Sequence, residues 1–109
     1  MNEETIIADM VDAIVSEVSP EKIILFGSRA RGMARPDADV DLLIIERRSP
    51  GEYWSRRREI TRILKRLLHF PVGQDILVYT PEDEEKWRGT TNHVIARALR
   101  EGKVLYERS

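Results

Sequence analysis

Three aspartates stand where short apolar runs begin. Asp39 and Asp41 open Asp39-Val40-Asp41-Leu42-Leu43-Ile44-Ile45, and Asp75 opens Asp75-Ile76-Leu77-Val78-Tyr79. Side chains two apart in a strand project from one face, so the first two carboxylates point out together. Two like charges side by side are unfavourable unless a cation or protons neutralise them. A hard divalent cation such as magnesium, which prefers oxygen ligands, is the simplest neutraliser. An exposed strand start, where acids are common, explains the pair equally well. Asp75 shifts the balance. If its strand neighbours the other, three carboxylates converge at one sheet end, the ligand set of a two-ion phosphoryl-transfer site. Taken alone, Asp75 reads more readily as a turn or capping residue.

Gly27-Ser28 follows the apolar run Ile23-Ile24-Leu25-Phe26, where a strand ends and a short helix could begin. Glycine permits close backbone approach, and Ser28 offers a hydroxyl and an N–H to a phosphate. An ordinary serine cap after a glycine turn is the plainer reading of this dipeptide by itself. Arg29 and Arg31 add positive charge suited to a polyphosphate, although exposed loop arginines are common.

The elements that must position these residues follow from periodicity. Ile7, Met10, Val11, Ile14, Val15 and Val18 recur at helical spacing, with Asn2 as N-cap and Ser19-Pro20 as stop. Strands are expected at Ile23–Phe26, Asp39–Ile45 and Asp75–Tyr79. Between the last two, after a break at Ser49-Pro50-Gly51, Ile60, Ile63, Leu64, Leu67 and Leu68 form one stripe opposite a row of arginines. Phe70-Pro71-Val72-Gly73 ends that helix. A short helix near Pro81–Lys86 and another across Thr91–Arg100 follow, with Gly102 as C-cap and an extended Lys103–Glu107. This order predicts an α/β (α+β) fold, a small mixed sheet flanked by helices, in a single domain spanning residues 1–109.

Composition narrows the class. Eighteen basic residues against 19 acidic leave a net charge of −1, unlike the clearly basic proteins that coat nucleic acid. Direct nucleic-acid binding is therefore not expected. The arginine-rich segment from Arg56 to Arg66 reads first as a solvated helix face. No apolar run approaches the roughly 20 residues that span a bilayer. Met1-Asn2-Glu3-Glu4 lacks the basic start of a signal peptide, and there is no cysteine, so a reducing cytoplasm is expected. His69 and His93 have neither metal-ligand spacing nor an evident acidic partner.

Taken together, Gly27-Ser28-Arg29-Ala30-Arg31-Gly32 followed by Asp39-Val40-Asp41-Leu42 resembles the signature of the polymerase-β-like nucleotidyltransferases. Four such fixed positions coincide by chance in on the order of one chain per thousand. The similarity is closest to the minimal nucleotidyltransferases encoded beside HEPN-domain proteins in prokaryotic toxin–antitoxin pairs. It extends over almost the whole chain; one departure is Ala38, where many relatives have serine. The resemblance implies that Ser28 contacts the triphosphate, with Gly27 allowing its approach and Arg29 beside it. It implies that Asp39 and Asp41 hold magnesium and that Asp75 is the third carboxylate, helping to activate the acceptor hydroxyl. It further implies ATP as donor, a HEPN-domain toxin as partner, and adenylylation of a toxin hydroxyl, a tyrosine by expectation. A homo- or hetero-oligomer could supply the missing acceptor surface. Two alternatives stay open: an antitoxin that neutralises by occlusion without transfer, and a small-molecule transferase of the aminoglycoside-modifying kind.

Overall fold

The computed structural model describes residues 2–48 and 53–109, so the expected break at Ser49-Pro50-Gly51 lies outside the described residues. Helix α1 (Glu3–Glu17) starts at Asn2, whose side chain accepts the Thr5 N–H at 2.8 Å. Its apolar face buries Met10, Val11 and Ile14. Strand β1 (Pro20–Phe26) is longer than the apolar run suggests, because Pro20 already pairs with Glu46. Helix α2 (Gly27–Ala30) is a single turn, followed by β2 (Val40–Glu46), α3 (Arg56–Arg66), β3 (Gln74–Tyr79), α4 (Pro81–Trp87), α5 (Val94–Glu101) and β4 (Lys103–Glu107).

The four strands form one mixed sheet in the order β3-β2-β1-β4. β1 is antiparallel to both β2 and β4, while β2 and β3 are parallel and joined through α3. The fold is therefore the expected mixed sheet flanked by helices. The two faces are unequally covered. On one face, α1 and α3 pack over Ile23, Leu25, Leu42, Ile44, Ile76 and Val78, which belong to the larger core. On the other, Ile24, Leu43, Ile45 and Ala98 make a much smaller core with α5, and Phe26, Leu77 and Tyr79 remain half-buried.

Two expectations need correction. Leu68 is 77% exposed, because α3 ends at Arg66 and the chain turns at Leu67 before the stripe is complete. Gly102 caps α5 without the left-handed geometry, at φ −83°. Its smallness matters for another reason. A Cβ there would meet the Ala98 carbonyl oxygen, Ile24 Cγ2 at 2.6 Å and the Leu25 carbonyl at 2.9 Å, so glycine lets α5 turn directly onto β1.

A buried acid pair with no signature in the sequence lies at the far end of β2. Glu46 and Glu59 of α3 are 7% and 5% exposed. Burial, the Glu59 charge and a hydrogen bond with Glu59 raise the Glu46 carboxyl from the ordinary 4.5 to about 7, with Arg62 opposing. Burial beside a second carboxylate thus favours the protonated form of Glu46, whose Oε2 is buried without a partner among the described residues. Because its folded value is raised, the stabilising contribution of the Glu46 carboxyl is complete below 4.5 and is lost as pH rises through about 7. Glu46→Gln is expected to match the parent in acid and to exceed its stability by about 1–2 kcal/mol above that range. Urea unfolding across pH checks this; parallel stability profiles for the two proteins would exclude a raised Glu46 carboxyl.

Candidate active site

The three aspartates gather at one end of the sheet. Asp41 is the register partner of Phe26 on one side and of Asp75 on the other. By strand alternation Asp41 lies in the row of Leu43 and Ile45, and Asp75 in the row of Leu77 and Tyr79. Both carboxylates therefore stand on the thinly covered face, where α1 and α3 do not reach. Asp39 lies one residue before β2, exposed, and the Val40 N–H bonds the Gly73 carbonyl at 2.9 Å.

Two glycines make room for the carboxylates. A Cβ on Gly27 would run into the Asp41 carboxylate, and one on Gly73 into that of Asp39. Asp41 is thus packed toward the β1–α2 junction and Asp39 toward the start of β3. Gly27 also has φ 74°, a left-handed conformation that suits glycine. In the sequence Gly73 marks only a helix stop. Its position two residues before Asp75, in a run that leads into a site strand, is the one signal of its second role.

Burial, then the Asp75 charge, then the Asp39 charge push the Asp41 carboxyl above its ordinary value, and the Arg29 guanidinium pulls it partly back. Each neighbour acts as a like charge that a cation would relieve. Among the described residues, no three acidic, imidazole or thiol groups stand close enough to enclose an ion by themselves. Magnesium takes oxygen ligands, through one or two carboxylates with water and substrate phosphates completing its shell. The donor set, all oxygen and mutually repelling, fits such an ion.

Ser28 sits in the first turn of α2, directly after Gly27, on the same junction as Asp41. Arg29 is placed differently from an exposed loop arginine. Its side chain is 7% exposed, with the guanidinium donating to the Ala38 carbonyl, to the Pro36 carbonyl at 3.4 Å and to the Glu3 carboxylate. Arg31 is half-exposed and 3.6 Å from Glu101. A cavity of about 180 Å³ beside Gly27 is lined by Phe26, Arg31, Val94, Arg97, Ala98 and Glu101. The histidines stay outside the site. His93 Nδ1 accepts the Ile95 N–H at 3.1 Å to cap α5, and its ring stacks on Trp87 at 4.4 Å.

Of the sequence-predicted residues, Gly27, Ser28, Asp39, Asp41 and Asp75 come together at this sheet end. Arg29 lies behind them rather than at the open face. No helix among the described residues is long and apolar enough to cross a membrane.

The arrangement has relatives. The nucleotidyltransferase domain family matches residues 7–105. A protein of Methanocaldococcus jannaschii named "putative protein adenylyltransferase" is 37% identical over 109 residues, covering 97% of this chain and 100% of the relative. Among solved structures, one described as a "putative nucleotidyltransferase" from Sulfolobus solfataricus superposes with a TM-score of 0.57 at 17% identity, over 95% of this chain and 79% of that one. A toxin–antitoxin structure with AMP-PNP gives a TM-score of 0.59 at 15% identity, over 98% and 75%. At those identities the two structures speak for the fold alone. With the family match spanning most of its length and a relative this similar from end to end, the chain belongs to the nucleotidyltransferase domain family.

Proposed function

We propose that this chain transfers AMP from ATP to a hydroxyl, a tyrosine, of a HEPN-domain toxin and so acts as its antitoxin. The observation that carries the chemistry is the alignment of Asp41 with Asp75 across β2 and β3, beside Gly27 and Ser28. Asp39 and Asp41 would hold magnesium, with the Asp75 carboxylate opposite Asp41 on the neighbouring strand. When bound, the ion neutralises the polyphosphate and polarises the α-phosphoryl group. Gly27 leaves room for the phosphates, and Ser28 offers them its hydroxyl and N–H. Asp75, exposed on the open face, takes the proton of the attacking hydroxyl. The acceptor oxygen bonds to the α-phosphorus, the bond to the bridging oxygen breaks, and pyrophosphate leaves.

The protein acceptor is supported by the name of the M. jannaschii relative, and the toxin partner by the toxin–antitoxin fold neighbour. A phosphate ester on the toxin would place negative charge on a surface that must meet RNA. The test is transfer of label from α-labelled ATP, with magnesium, onto a HEPN-domain partner, against the Asp39→Asn, Asp41→Asn double variant. Label on a partner tyrosine with the native chain and none with the variant is expected. A tight complex that neutralises the toxin without label would instead establish occlusion.

A further inference from the structure

We propose that Arg29 is a positioning residue that aims Asp39, and not a ligand of the nucleotide; this rests on the transfer reading above. Arg29 is in the single turn of α2, yet its guanidinium turns away from the open face into a buried junction of three segments. It donates to the carbonyls of Pro36 and Ala38, the last turn before Asp39, and to Glu3 in the first turn of α1. Among the described residues, that turn is otherwise held by one backbone bond, Ala38 N–H to the Arg35 carbonyl at 3.0 Å. The Arg29 Nε–H has no acceptor among the described residues, and the atom is buried.

The loop needs such a tie. Residues 31–39 run from α2 to β2 without regular structure, and seven of those nine, Asp39 among them, are exposed. Asp39 lies just outside the strand, tied to the sheet on its C-terminal side by the Val40 N–H bond to Gly73, while the Ala38 side leads back into the loop. The planar guanidinium reaches two carbonyls and a carboxylate at once, a geometry that a lysine ammonium on a flexible stem does not reproduce. Catalysis is sensitive to this, because a displacement of about 1 Å at a reacting group can cost about 10²-fold in rate.

The experiment compares Arg29→Lys, Arg29→Ala and Glu3→Gln for ATP affinity by calorimetry, for turnover, and for amide exchange at Ala38–Val40. Arg29→Lys and Arg29→Ala are expected to keep ATP affinity within about threefold while turnover falls by about 10²-fold. Exchange in the loop should quicken in both. Glu3→Gln loosens the α1 anchor but spares both carbonyl bonds, so its turnover should stay within about threefold of native. A loss of ATP affinity of tenfold or more with native turnover at saturation would overturn the proposal and return Arg29 to the nucleotide. Equal turnover losses in Glu3→Gln and Arg29→Ala, in step with lost thermal stability, would also overturn it. If no chain transfers AMP, the transfer reading itself fails, while exchange and ATP affinity still report on Arg29.

Discussion

Asp41→Asn is expected to abolish transfer and, at the same time, to make the protein more stable. The carboxylate it removes is half-buried, faces two others and has its charged form disfavoured by that company. Folding therefore holds Asp41 in place against its own electrostatics. Asparagine keeps the shape and an oxygen, but removes the charge that a magnesium ion needs from its ligand. A fall of at least about 10³-fold in transfer is expected, the scale of losing a group that acts chiefly in the transition state. Because the folded pKa is raised, native Asp41 destabilises the fold progressively as pH rises through the carboxylate range, and asparagine does not. Melting at neutral pH against melting in mild acid, for both proteins, reads this directly. The gain in Tm should be present at neutral pH and vanish in acid. A variant that loses both activity and stability would mean that Asp41 is a packing residue, not a cation site.

Gly27→Ala carries the second large effect, for two reasons that a control can separate. At φ 74° an alanine costs about 1–2 kcal/mol in backbone strain alone. In addition its methyl would occupy the space of the Asp41 carboxylate. Gly32 has a similar positive φ, 70°, and a methyl added there would meet nothing within 4 Å. Gly32→Ala should therefore show the strain without the displacement. A loss of stability is expected in both, the larger in Gly27→Ala, with activity lost by about 10²-fold only there. If the two alanine variants lose activity equally, strain in the α2 turn is sufficient and the contact with Asp41 is irrelevant.

How far the sequence foretells all this depends on the kind of interaction. The aspartates and the glycine–serine step announce themselves because their residue types are improbable at apolar strand ends, and strand alternation then fixes their common face. The elements are legible for the same reason: α1, β2 and β3 carry strong periodicity and clear stops. Strand order is not, since nothing local to Lys103–Glu107 says that it pairs with β1 rather than with an edge of β3. The burial of Arg29 is hidden because a charged residue in a polar loop gives no sign that two carbonyls from Pro36 and Ala38 will fold over it. Glu46 and Glu59 escape notice because they are far apart in sequence and meet only when α3 docks on β2. Gly73 and Gly102 look like helix punctuation, whereas their absent side chains serve contacts across the fold.

The uneven clothing of the sheet divides the molecule into parts of different permanence. Strands β1 and β2 lie beneath α1, α3 and the larger core, whereas the core under α5 is the smaller one, with Ile95, Ala96 and Ala98 buried near Ile24, Leu43 and Ile45. Regions with few buried apolar contacts open locally at a fraction of the global free energy. The α4–α5 segment should thus lose its hydrogen-exchange protection well before α1 and the central strands do. The carboxylates stand on that same side. The strands that hold Asp41 and Asp75 in register should keep their protection while the segment covering their face is already exchanging.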